Sequence, residues 1–115
     1  MGINAKGRMG VWIGNGAVTN FATGVLLDNS SETEVNAVTS VANFYGIYVV
    51  DSTENDLVAN VVSQNTYGIH LQLSSHNTVV GNESFDNLYR SPGGYGINLI
   101  ESHDNVIREN IVREN

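Results

Sequence analysis

The sequence predicts an all-β solenoid: a single-stranded, right-handed parallel β-helix of about five 22-residue coils with three short strands per coil. Three observations predict it. Glycine followed by an aliphatic residue recurs at a fixed spacing. Large aliphatic residues fall into columns at that spacing, and Asn and Ser fall into separate columns of their own. Self-similarity at one such period marks a repeat architecture.

Gly2-Ile3-Asn4-Ala5 opens the first coil. Gly24-Val25-Leu26-Leu27, Gly46-Ile47-Tyr48-Val49 and Gly68-Ile69-His70-Leu71 follow at steps of 22 residues. Gly96-Ile97-Asn98-Leu99 comes 28 after Gly68, the surplus falling in the segment Leu88–Gly94. Eleven residues after each glycine stand Ile13, Val35, Leu57, Val79 and Ile107. A strand of three to five residues cannot bury its apolar face alone, but copies stacked about 4.8 Å apart can. The columns Ile47/Ile69/Ile97, Val49/Leu71/Leu99 and Leu57/Val79/Ile107 are therefore expected to form inward ridges.

The polar columns are the turns. Asn55, Asn77 and Asn105 stand nine after the glycine, with Thr33 before them; Asn60, Asn82 and Asn110 stand at fourteen. Asn43, Asn65, Asn87 and Asn115 stand at nineteen, and Ser30, Ser52, Ser74 and Ser102 at six. Asn tolerates left-handed backbone angles and bonds its own turn, and stacked Asn side chains can bond one another as a ladder. Asn columns five apart also fit a quadrilateral of stacked pentapeptides, but a period of 22 is not a multiple of five. Tyr45, Tyr67 and Tyr95 each precede a glycine; alternation from the inward Ile points the glycine outward and the rings inward or to a corner, to pack there or to stack on a sugar. The repeat runs through residues 1–115 as one domain.

Bulk properties narrow the function. A net charge of −7 and a pI near 4.6 speak against nucleic acid or an anionic membrane surface as partner. No cysteine is present, so there is no disulfide framework and no thiolate metal site. No apolar run approaches the roughly 20 residues that span a bilayer. The N-terminal MGINAKGRMG lacks the apolar core of an export signal.

The units GIYVVDSTENDLVANVVSQN, GIHLQLSSHNTVVGNESFDN and GINLIESHDNVIRENIVREN resemble the repeats of NosD-type and pectate-lyase-like right-handed parallel β-helix proteins, described as carbohydrate-binding and sugar-hydrolase repeats. The resemblance covers nearly all the chain and weakens before Gly24. It implies action on polysaccharides outside the cell or in the periplasm, as a binding module, lyase, hydrolase or epimerase. It transfers no catalytic set: pectate-lyase-like enzymes use calcium-holding carboxylates with a basic residue. The Asp-Pro-His run of alginate epimerases is absent, the only proline being Pro92. The shared residues are those that shape coils, so activity does not follow from them.

Sites on such solenoids form where side chains of successive coils line up outward. The outward positions of the glycine-led strand carry Tyr48, His70, Gln72 and Asn98, with Asp28 at one end, and could stack on and hydrogen-bond a sugar chain. Tyr89 and Arg90, in the long Leu88–Gly94 segment, would stand beside them. An ordinary solvated sheet face explains the same residues. His70 could act as a general base, although no carboxylate stands in its own column. Glu54, His76, His103 and Asp104 could approach one hard or borderline divalent cation; a charged turn ladder in water explains them as well. No cofactor is demanded, and calcium is the cation the resemblance allows. The NosD name is associated with copper, but the lack of Cys and the remoteness of Met1 and Met9 from the histidines oppose a copper(I) site.

Three functions stay open: polysaccharide recognition, a self-associating structural scaffold, and a lyase, hydrolase or epimerase. End coils of a solenoid expose apolar columns and unpaired strand edges, which predicts homo-oligomers through the terminal coils, or else a chain cut from a longer parent. Val11, Trp12 and Ile13, with almost no charge in Gly7–Gly16, place that contact at the N-terminal coil.

Overall fold

The computed structural model describes residues 1–88 and 94–115. The first coil holds β1 (Ile3–Asn4), β2 (Trp12–Gly14) and β3 (Ala17–Thr19). The second holds β4 (Thr23–Asp28), β5 (Glu34–Asn36) and β6 (Thr39–Val41), the third β7 (Tyr45–Val50), β8 (Asp56–Val58) and β9 (Val61–Ser63). The fourth holds β10 (Tyr67–Gln72), β11 (Thr78–Val80) and β12 (Glu83–Phe85), the fifth β13 (Tyr95–Ile100), β14 (Val106–Arg108) and β15 (Ile111–Arg113). They form three five-stranded sheets, β1-β4-β7-β10-β13, β2-β5-β8-β11-β14 and β3-β6-β9-β12-β15. All pairs are parallel. Three sheets rather than four set aside the pentapeptide quadrilateral. Among the described residues no helix is long and apolar enough to cross a membrane.

The register follows the sequence columns. Ile69 pairs Ile47 on one side and Ile97 on the other, so the six surplus residues leave the ladder undisturbed. Val25, Ile47, Ile69, Leu27, Val49, Leu71, Val35, Leu57 and Val79 are fully buried. β4, β7 and β10 contribute two fully buried aliphatic side chains each and β5, β8, β9 and β11 one each, and stacking fuses them into one core.

The turns differ from the expectation in one respect. The left-handed residue is the one before the column Asn: Glu54, Ala59, Gln64, His76, Asp86, Asp104, Glu109 and Glu114 all have φ between 52° and 56° or close to it, up to 59° at His76. The Asn that follows turns inward, and Asn55, Asn60, Asn65, Asn77, Asn82 and Asn87 are buried. Its Nδ2 donates to the Oδ1 of the next coil's Asn: Asn55 to Asn77 at 2.9 Å, Asn60 to Asn82 at 2.9 Å, Asn65 to Asn87 at 3.0 Å. The same Oδ1 accepts the backbone N–H of the Asn below, as from Asn60 at 2.9 Å. Ser30, Ser52, Ser74 and Ser102 form a parallel ladder, each backbone N–H donating to the next Oγ at 3.0–3.1 Å. A buried polar group without a partner is destabilising, and among the described residues every buried side-chain N and O is partnered.

Candidate functional site

The glycine that opens each long strand decides which way the neighbouring tyrosine points. Gly46, Gly68 and Gly96 are buried, and a Cβ on Gly68 would lie 2.5 Å from the Gly96 carbonyl oxygen. The coils touch backbone to backbone there. Strict alternation is broken at that point, so Tyr45 and Tyr48, three apart, share the outward side with rings stacked 4.5 Å centre to centre. The expectation of an outward glycine and inward or corner Tyr is thus corrected.

The outward side of the first sheet is an aromatic row. Tyr45 stacks on Tyr67 at 5.0 Å and Tyr67 on Tyr95 at 5.2 Å, one coil per step. Phe44 meets Tyr45 and Tyr67 edge-on at 4.8 and 5.6 Å. Offset and edge contacts of this kind are the favoured aromatic geometries. Phe44 and Tyr95 are the exposed members, the others half-buried.

Of the predicted ligand residues, Asp28, Tyr48, His70, Gln72 and Asn98 lie on this surface, and the register pairs Tyr48 with His70 and His70 with Asn98. The Tyr48 hydroxyl donates to Gln72 Oε1 at 2.6 Å. Asn98 Nδ2 lies 2.9 Å from His70 Nδ1; with the amide donating, Nδ1 accepts and the ring proton sits on Nε2. His70 is only 3% exposed, packed among Tyr45, Tyr48 and Tyr67 at 5.0–5.4 Å. Burial lowers its pKa. It positions neighbours more than it presents itself. Burial, with Asp51 and Asp28 adding, raises the Tyr48 pKa, so its hydroxyl is a donor at neutral pH. Asp28 is paired with Lys6 at 2.7 Å, and that hydrogen bond raises the Lys6 pKa. Tyr89 and Arg90 lie outside the described residues. The sequence missed Tyr45, Tyr67, Tyr95 and Phe44 as outward residues; the signal was the Tyr-Gly pair, whose glycine displaces the alternation.

The corner residues separate from this surface. Glu54, His76, His103 and Asp104 are exposed, and His76 Nε2 comes to 3.9 Å from Asp104 Oδ2. Among the described residues, no three His, Asp or Glu side chains lie together as a metal-holding group.

A family profile described as "Periplasmic copper-binding protein (NosD)" matches residues 1–115. The chain belongs to the NosD family. Neither the curated proteins nor the solved structures contain a significant match. The NosD description names copper, for which soft sulfur or imidazole donors are the suitable ligands. Here His70 Nδ1 is engaged by Asn98, and His76 and His103 stand on a solvent-exposed corner. Met9 bridges to Ser31, and that column climbs through Thr53 to Ser75, three coil steps before His76 is reached. The described side chains of this NosD-family chain do not fit a copper centre.

Proposed function

We propose that this chain is a glycan-recognition module of the NosD family, working outside the cytoplasm, and that the outward side of its first sheet is the binding surface. The observation that carries the reading is the aromatic row Tyr45–Tyr67–Tyr95, flanked by the Gln72 and Asn98 amides on the same side. A sugar offers C–H faces and hydroxyl groups. Aromatic rings with a few placed amides and hydroxyls answer both, the combination expected of a small-ligand surface. The inner rings hold one another and act as a rigid rail, while Phe44 and Tyr95 offer accessible ring surface. Ring stacking one coil at a time gives a repeating surface suited to a repeating ligand. The described ion pair here is Lys6–Asp28 at one edge, and the middle of the row is uncharged, which favours a neutral sugar over a polyuronate.

The test is an affinity-electrophoresis panel of neutral and acidic polysaccharides, run with and without calcium. Retardation by at least one neutral polysaccharide is expected, abolished in the Phe44→Ala/Tyr95→Ala double variant and unchanged in His103→Ala. No retardation by any member, or retardation indifferent to the double variant, overturns the reading.

A further inference from the structure

Among the described residues, three asparagines stand at left-handed corners of the coils: Asn15 (φ 55°), Asn20 (φ 64°) and Asn29 (φ 51°). All three are exposed. They differ in the backbone N–H that follows them. After Asn20, the Phe21 N–H donates to Asn43 Oδ1 at 2.8 Å. After Asn29, the Ser30 N–H donates to Ser52 Oγ at 3.0 Å. After Asn15 comes Gly16, and among the described residues no acceptor takes its N–H.

The cause lies in the second coil. At this corner each backbone N–H reaches toward a side-chain oxygen of the coil that follows: Val38 to Asn60 Oδ1, Asn60 to Asn82 Oδ1 and Asn82 to Asn110 Oδ1, all at 2.9 Å. The residue that should receive the Gly16 N–H is Val38, which has no side-chain oxygen. Val38 is 1% exposed, so the missing step of the ladder lies inside the stack. The exposure of Asn15 follows from its column, because Ala37, Ala59, Gly81 and Glu109 at the same corner are exposed too. A ladder Asn is held on both counts. Asn60 Nδ2 donates to Val35 O and Asn82 Oδ1, and the Val61 N–H after it donates to Val38 O at 2.9 Å.

An exposed amide followed by an untethered backbone N–H is the reactant pair of intramolecular deamidation. The Gly16 nitrogen attacks Asn15 Cγ and closes a five-membered succinimide. The Cγ–Nδ2 bond breaks, and Nδ2 leaves as ammonia, carrying the proton given up by the Gly16 nitrogen. Water then adds to either ring carbonyl, and opening yields aspartate or isoaspartate. Solvent is the only co-reactant, and both reacting groups are already joined in one chain. Glycine favours the attack, since it has no side chain to crowd it and turns freely. A Cβ at Gly16 would meet only Gly14 O, at 3.9 Å. We infer that Asn15 is a self-modification site, converted with age to aspartate and isoaspartate at the corner between β2 and β3. The product adds a carboxylate to a chain whose net charge is −7. Isoaspartate also lengthens the backbone by a methylene where the Asn15 N–H donates to Asn36 O at 3.2 Å.

The test is timed incubation of the folded full chain at mildly alkaline pH, where a backbone nitrogen loses its proton more readily. Aliquots are digested and mapped by mass spectrometry, with the aspartate and isoaspartate peptides separated by elution. Paired products at Asn15 are expected, while Asn20 and Asn29 stay intact. Val38→Asn keeps the Asn15-Gly16 sequence and restores the ladder oxygen. It should slow the loss of Asn15 about fivefold, the opening equilibrium of one hydrogen bond. Gly16→Ala, which the open space around Gly16 accommodates, should slow it by crowding the attack. A thermal melt shows whether each variant is folded, and the comparison of Asn15 with Asn20 and Asn29 within the natural chain needs no variant. Asn15 left intact after the same time converts it in the urea-unfolded chain overturns the inference. So does conversion of Asn20 or Asn29 at the same rate, or a folded Val38→Asn chain that loses Asn15 as fast as the natural one.

Discussion

His70 shows how one side chain ties the surface together. Its ring fills the space between three tyrosines, and Nδ1 takes the Asn98 amide proton. Burial acts on both groups in opposite directions: with Asp51 and Asp28 adding, it raises the Tyr48 pKa, and it lowers that of His70. The sign follows from linkage: a histidine held neutral by the fold binds a proton more readily when unfolded. Stability is therefore full above the ordinary His pKa of about 6.5 and is lost as pH falls below it toward the lowered folded value. Melts recorded between neutral and mildly acidic pH should fall more steeply for the natural chain than for His70→Gln. Parallel profiles would mean that His70 is not the buried neutral group described. The column pattern places His70 on the outward side, where it pairs with Tyr48, but does not show its burial. That arises from Tyr45 and Tyr67, whose outward turn depends on a backbone displacement at glycine that simple alternation does not contain.

At the scale of the strand, the column pattern carries the prediction of the fold because side chains alternate with a period of two and coils repeat with a period of 22. Leu71 is fully buried in β10 and its neighbour Gln72 is not. Leu71→Asp, which puts a charge into the stacked core, should cost about 4 kcal/mol or more. Gln72→Asp keeps an acceptor for the Tyr48 hydroxyl and should change stability by about 0.5 kcal/mol or less. Chemical denaturation gives both values, and equal midpoints would reverse the assignment of sides. The turns were legible as positions but not as conformations. Periodicity shows that Asn recurs every five residues through β8 and β9 and through β11 and β12. It does not show that the chain turns left-handed one residue earlier, at Glu54, Ala59 or Gln64, to swing each Asn inward. The two residues divide the turn: the first bends the backbone, the second satisfies it. It also explains why Glu54, His76 and Asp104 stand on an exposed corner, since an outward left-handed residue is free to be polar.

For the whole molecule, stacking separates the chain into a closed core, an aromatic outward side on the first sheet, and charged corners. The core and its period could be read from sequence, because they depend on repetition. The outward side of the first sheet is the surface we propose to bind the glycan. The most direct measurement is a backbone amide shift map of the isotopically labelled chain, titrated with an oligosaccharide of the polysaccharide it retains. Perturbations are expected in β4, β7, β10 and β13, strongest around Phe44, Tyr48 and Tyr95, with β14 and β15 unmoved. Shifts centred on the His76–Asp104 corner or on β14 and β15, with the aromatic row silent, would contradict it.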